Sequence, residues 1–471
     1  MFGRKKEQAQ LEKYYDSDKS EFIVVYGRLR VGKTFLIRET FSDRLFFSFT
    51  GTTQIQTLSG QLERFSIAMK NQGLNPDNKK VHTWNQAFDL LSQQIALTES
   101  NQRKVIFLDE APWLDTRRSG FIGALEYFWN AFASPRKDIL LILCGSAASW
   151  MSKKLFQDRG GLHNRVTGRI LLKPFTLGEV EAYLNAKGSG YQRYDIIECY
   201  MVFGGIPYYL DYIDKQFSIA INVDKIVFDE QAPLRNEFTE LYSSLFGSSE
   251  YYLEIVTALG EKKKGMTREE IVNEIKLKDG GEITAALTNL ELSGFIRIYY
   301  AYPNKKKGAL YQLVDPFSLF WLTFLNKKHP TSAHYWSSLR DTHTLDTWRG
   351  YAFEIVCLGH ISQIEKALGI SGILTWISSW QSRTPNNGAQ IDLLIKRDDH
   401  VVNVCEIKYA QSEFEIGKEY EEKLRNKISV FTSQTKSKDT TFLTLITTYG
   451  LKPGKHTGIV RAEVRMDDLF G

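Results

Sequence analysis

The chain has 471 residues, 43% hydrophobic and 24% charged, with a formal net charge of +5. That balance excludes a disordered or low-complexity polymer, and the length predicts two to four domains, each able to bury its own core. No apolar run approaches the roughly 20 residues that span a bilayer, the N-terminus lacks a signal-peptide pattern, and Cys144, Cys199, Cys357 and Cys405 form no C-x-x-C pair. The expectation is a cytoplasmic protein with reduced core thiols and no membrane partner.

Phe22-Ile-Val-Val-Tyr26 predicts a buried strand and Phe35-Leu-Ile-Arg-Glu-Thr a helix. Between them, Gly27-Arg-Leu-Arg-Val-Gly-Lys-Thr34 fits G-x-x-x-x-G-K-[ST]. Strand, glycine loop and helix in that order make a phosphate cradle. Gly27, Val31 and Gly32 present backbone to the phosphates, Lys33 supplies a point charge, and the Thr34 hydroxyl can ligate Mg²⁺. A second strand, Lys104-Val-Ile-Phe-Leu, ends in Asp109-Glu110. Asp109 would hold the metal through water and Glu110 would orient or deprotonate the attacking water. An acidic pair after a strand can also simply cap a helix. A third strand from Ile139 ends at Gly145-Ser146, where Ser146 could sense the γ-phosphate or hold the water. Arg159, Arg165 and Arg169 follow in a Gly-rich stretch, and one of them could stabilise transition-state charge in cis or across a subunit contact. Without an N-K-x-D sequence to recognise guanine, ATP is favoured over GTP.

Phe2-Gly3-Arg4 with Glu7 and Leu11, the phosphate loop, Leu108-Asp-Glu-Ala-Pro-Trp-Leu-Asp115, Gly145-Ser146, Lys173-Pro-Phe175 and Gly204-Gly-Ile-Pro207 together resemble the archaeal-type P-loop ATPases of the AAA+/STAND group. The resemblance covers nearly the whole chain, with its motifs in the expected order. It implies ATP hydrolysis, a helical lid containing Gly205 and Pro207, and Arg165 as the arginine finger. That family commonly has Gly-Arg where this chain has Asn164-Arg165.

From Tyr251 to Val314, three helical patterns precede β-like alternation. They are Tyr251 to Leu259, a second opened by a capping box at Thr267-Arg-Glu-Glu270, and Gly281 to Leu292 closed by Gly294. Phe295 to Tyr300 and Ala309 to Val314 flank the loop Pro303-Asn-Lys-Lys-Lys-Gly308, which together predict a winged helix-turn-helix. The wing lysines and Lys262 to Lys264 would meet DNA phosphates. The third helix, however, carries Glu282 and Glu291 and no Lys or Arg, so a protein-contact or spacer role competes with duplex reading. Asp315-Pro-Phe-Ser-Leu-Phe-Trp321 again resembles the ATPase family.

Near the C-terminus, a predicted helix carries Glu354. A predicted strand carries Asp392, and the next carries Glu406 and Lys408 on one face. Two carboxylates and a backbone carbonyl bind Mg²⁺ or Mn²⁺, and the lysine can activate water or neutralise a scissile phosphate. This arrangement resembles the PD-(D/E)XK nuclease fold, with Ile391 where that family usually has proline. The resemblance implies Asp392, Glu406 and Lys408 as catalytic residues and Glu354, Asp392 and Glu406 as metal ligands. The alternative is a salt-bridged hairpin or a nuclease fold without activity.

The expected fold is α/β: a P-loop NTPase parallel sheet over residues 1–185, a helical lid over 186–247, a winged helix over 248–325 and an α/β restriction-endonuclease-like domain over 335–471. The expected function is ATP hydrolysis coupled to a metal-dependent nuclease-like domain acting on DNA, with a homo-oligomer or protein partner open. The alternative is an ATP-driven switch whose later domains bind a protein or nucleic acid without cutting it.

Overall fold

The computed structural model describes residues 3–52, 57–74, 80–98, 102–146, 148–156, 162, 164–246, 250–276, 280–303, 308–326, 334–339, 342–382 and 388–471. Phe2, Arg159 and the wing lysines Lys305, Lys306 and Lys307 lie outside them. Two compact units emerge: 1–174 with 288–294, and 175–287 with 295–471. The lid, middle and C-terminal segments distinguished in the sequence thus fall almost wholly in one unit, which also takes the helix Leu177–Ala186.

The first unit is built on a parallel sheet of β1 (Glu21–Tyr26), β2 (Leu45–Thr50), β3 (Lys104–Asp109), β4 (Ile139–Gly145) and β5 (Gly168–Leu171), ordered β2-β3-β4-β1-β5. Every residue of β3 and β4 is buried, as their unbroken apolar runs require of strands covered on both faces. Phe47, Phe65, Trp84, Phe88, Phe121 and Phe128 pack one side of the sheet. Tyr26 pairs in register with Gly145, so the strand that feeds the phosphate loop and the strand that ends at Ser146 finish side by side. That common edge is where open parallel sheets bind ligands.

The second unit begins with helices, among them Leu177–Ala186, opened by a Thr176/Glu179 capping box, and Arg193–Phe203. Helices Glu250–Glu261, Arg268–Ile275 and Gly281–Leu292 follow, the last running from 288 into the residues of the first unit, and the Thr267/Glu270 capping box expected at the second is present. An antiparallel sheet ordered β6-β8-β7 comes from β6 (Met266–Thr267), β7 (Ile296–Tyr300) and β8 (Ala309–Leu313). The last part is a mixed sheet, β13-β12-β11-β10-β9, of β9 (Thr375–Gln381), β10 (Gln390–Arg397), β11 (Val401–Lys408), β12 (Thr440–Thr447) and β13 (Ala462–Arg465). β9, β10 and β11 are antiparallel neighbours, whereas β11, β12 and β13 are parallel, with the helix Lys418–Thr435 crossing over between β11 and β12. Trp380, Ile391, Leu394, Val404, Leu424 and Phe431 form its core.

The middle segment is not a detached spacer. Just past β7, Ala301 bridges Ser379 of β9, the Tyr302 N–H donates to the Ser379 carbonyl at 2.8 Å, and the Tyr302 ring packs 5.4 Å from that of Phe431. Among the described residues, no helix is long and apolar enough to cross a membrane.

Candidate functional site

Gly27 and Gly32 set the shape of the phosphate loop. Gly27 has φ +147°, and a Cβ there would lie 2.3 Å from the Leu172 carbonyl oxygen, so only glycine fits. Gly32, at φ 89°, is the left-handed residue from which the helix Lys33–Thr40 starts. Arg4 donates to the Val31 carbonyl at 3.0 Å and so holds the loop from behind. Lys33 is 4% exposed, and its ammonium donates to the carbonyls of Gly27 (3.1 Å) and Arg28 (2.9 Å) and to Ser146 Oγ (3.1 Å). These oxygens occupy donors that a phosphate would otherwise take.

The strand ends bring the remaining groups to the same place. Thr34 Oγ1 donates to Asp109 Oδ2 at 2.9 Å, which places two hard oxygen donors of the kind Mg²⁺ prefers side by side. Burial pushes the Asp109 carboxyl up, against the Thr34 hydrogen bond, and the Glu110 charge adds to the rise. Glu110 itself sits at φ 47°, an unusual conformation for a residue other than glycine. Its Oε1 accepts from Ser146 Oγ at 2.7 Å and its Oε2 from the Ser146 N–H at 3.2 Å. Lys33, Ser146 and Glu110 therefore form one hydrogen-bonded chain. Arg165 is not part of it: the residue is exposed on the turn Leu162–Arg165, and among the described residues none of its hydrogen bonds reaches the loop. Arg169 is exposed and lies over the Phe156 ring at 4.0 Å.

The second unit holds a cavity of about 1270 Å³, lined by Glu354, Asp392, Glu406 and Lys408. Glu354 comes from the helix His343–Gly359. Asp392 lies on β10 one residue before the Leu393↔Cys405 pair, which sets it opposite the Glu406 end of β11. Burial, with the charges of Asp392 and Glu406, pushes the Glu354 carboxyl up to about 8. Such crowded hard oxygens are a donor set that a divalent cation would relieve. Even so, among the described residues no three acidic, histidine or cysteine side chains form a ready-made metal cluster. Glu406 is already engaged: Oε2 accepts from Lys427 Nζ at 2.5 Å, and Oε1 from Tyr420 OH at 2.5 Å, with Lys408 Nζ 3.1 Å away. Burial pushes Glu406 up, but Lys427 and Lys408 outweigh it and hold the carboxyl below its ordinary value. Asp392 Oδ1 accepts from the Gln390 amide.

Sequence reasoning missed Tyr420 as part of this site, and it read Lys427 as one of several basic residues facing a phosphate backbone or solvent, where the structure pairs it with Glu406. Tyr420 and Lys427 are seven residues apart on one helix, two turns along the same face, and that spacing directly after the strand of Glu406 and Lys408 was the available signal. Arg297 and Tyr351, which carry no sequence signal, line the same cavity, together with Lys263 and Lys264, which the sequence suggests either for DNA phosphates or for a solvated loop.

Residues 1–213 match the family model of an ATPase domain predominantly from Archaea. An uncharacterized protein of Methanocaldococcus jannaschii is 24% identical over 410 residues, covering 84% of this chain and 84% of that protein. Among solved structures, a Walker-type ATPase of Pyrococcus abyssi superposes with a TM-score of 0.48 at 17% identity, covering 68% of this chain and 96% of its own. The ORC2 protein of Aeropyrum pernix, in its ADPNP-ADP complexes, gives 0.43 at 14% identity, covering 77% and 96%. With the phosphate loop and the acids of β3 inside the matched segment, residues 1–213 form a P-loop ATPase domain that binds ATP.

Proposed function

We propose that this chain couples ATP hydrolysis in its first unit to metal-dependent cleavage of a nucleic acid, DNA in the first instance, at the cavity of its second. The ATPase roles follow from the hydrogen-bonded chain at the loop. Backbone N–H groups of Gly27 to Thr34 and the Lys33 ammonium would hold the β- and γ-phosphates. As the γ-phosphate takes Lys33 and Ser146, Glu110 is released from Ser146 to orient the water and accept its proton. Thr34 and Asp109 would hold Mg²⁺, which spreads the charge developing on the phosphates. Arg165, exposed on its turn, would serve the γ-phosphate of a neighbouring copy.

The observation that carries the nuclease reading is the convergence of Glu354, Asp392, Glu406 and Lys408 on one cavity from a helix and two adjacent strands. Asp392 and Glu406, with Glu354 beside them, would hold a divalent cation that polarises a scissile phosphate. Lys408 would neutralise that phosphate or take the proton of the attacking water. A second reading, a switch that binds nucleic acid without cutting it, is favoured by the pairing of Glu406 with two lysines and a tyrosine. One experiment separates them: labelled DNA with Mg²⁺ or Mn²⁺, with and without ATP, alongside ATP turnover. Cleavage lost in Asp392→Ala with turnover retained supports the first reading, and uncut DNA under every condition sinks it. In the same assay Lys33→Ala should abolish ATP turnover, and persistent turnover would remove the loop from the mechanism.

A further inference from the structure

Lysines 408 and 427 spend their charge on Glu406, but Arg297 and Lys263, also on the cavity wall, form no ion pair within 4 Å of a carboxylate among the described residues. Arg297, near the start of β7, is half-buried. Its Nε donates to Gln312 Oε1 at 2.7 Å, and its guanidinium lies 4.4 Å from the Tyr299 ring centroid. Among the described residues its terminal NH₂ groups have no hydrogen-bond partner, and the residue lines the same cavity as Asp392. Lys263 is held by its backbone: its carbonyl accepts from Tyr351 OH at 2.8 Å and from Gln312 Nε2 at 2.9 Å. Its ammonium lies 5.3 Å from the ring centroid of Tyr351, which stands three residues before Glu354 on the same helix. Gln312 thus fastens both cations to the wall facing the acids.

Resting on the reading of this cavity as a nucleic-acid site, we propose that Arg297 and Lys263 form a phosphate-holding subsite that seats a backbone phosphate next to the one over Asp392 and Glu406. A guanidinium whose Nε and face are already fixed keeps a rigid pair of NH₂ donors, which matches phosphate oxygens bidentately at little entropic cost. Lys263 adds a second positive charge beside it. The middle segment then serves the cavity by gripping backbone, without reading bases, which accords with a third helix that carries two acids and no Lys or Arg. Arg297 and Lys263 are positioning residues here, since neither touches the reacting atoms.

The test is binding of a short labelled DNA strand, single or in duplex, to the full chain in EDTA, where no metal-dependent cleavage occurs. Arg297→Gln should weaken binding about tenfold and lower the slope of log affinity against log salt by about one. Arg297→Lys should keep the slope while losing part of the affinity, because it has the charge without the fork. Lys263→Gln, which leaves Arg297 and its stacking in place, should lower the slope independently. A purely structural role would lower the melting temperature and leave the slope unchanged. Unaltered affinity and slope in both glutamine variants overturn the proposal, as does a wild-type chain that binds neither form of DNA. Because no cleavage is read, failure of the nuclease reading leaves this result intact.

Discussion

Glu354 is the residue whose surroundings make the sharpest demand on solution behaviour. Its ordinary carboxyl value near 4.5 rises to about 8 through burial and the charges of Asp392 and Glu406. Between those two values the folded chain keeps a proton that the unfolded chain has released, so stability falls as pH rises through that window. In EDTA, the melting temperature of the wild-type chain should therefore decline from acidic pH to pH 8 more steeply than that of Glu354→Gln. Parallel curves would mean that neither burial nor the neighbouring acids raise the Glu354 carboxyl. The residues of the phosphate loop were legible because their chemistry is contiguous: Gly27, Gly32, Lys33 and Thr34 lie within eight consecutive positions. Arg297 was not, because it joins Asp392 only through packing between distant segments, and no local pattern records that.

At the scale of elements, the loop depends on a close approach between backbone segments. Gly27→Ala would drive a Cβ into the Leu172 carbonyl while forcing a side chain into the left-handed region, and should cost about 2–4 kcal/mol of stability. Thermal or urea unfolding measures that loss directly, and a variant as stable as wild type would show that the loop can rebuild itself elsewhere. Elements with strong local signals appeared where the sequence put them. The strand at Phe22 runs Glu21–Tyr26, the Thr267/Glu270 box opens Arg268–Ile275, and the Asp392 strand runs Gln390–Arg397. The helix after the loop starts at Lys33, two residues earlier than the apolar pattern suggests, because Gly32 supplies the left-handed start. The sheet partners were less visible. That β11 turns from antiparallel pairing with β10 to parallel pairing with β12 follows from the crossover helix Lys418–Thr435, whose charge-rich sequence looks like a solvated surface.

For the molecule as a whole, coupling between nucleotide and nucleic acid has a thermodynamic signature that needs no knowledge of the route. If ATP changes the affinity for DNA by some factor, DNA must change the affinity for ATP by the same factor. Titrating a non-hydrolysable ATP analogue into the chain with and without DNA should give affinities that differ by about 5- to 150-fold, the usual range of such couplings. Identical affinities would leave two independent activities on one chain. The contact of Ala301 and Tyr302 with Ser379 has a further consequence, which concerns self-association. β9 is the last strand of its sheet, and such an edge strand presents backbone groups on which another chain can pair. By occupying part of that edge from within, the segment after β7 works as a built-in guard against edge-to-edge aggregation.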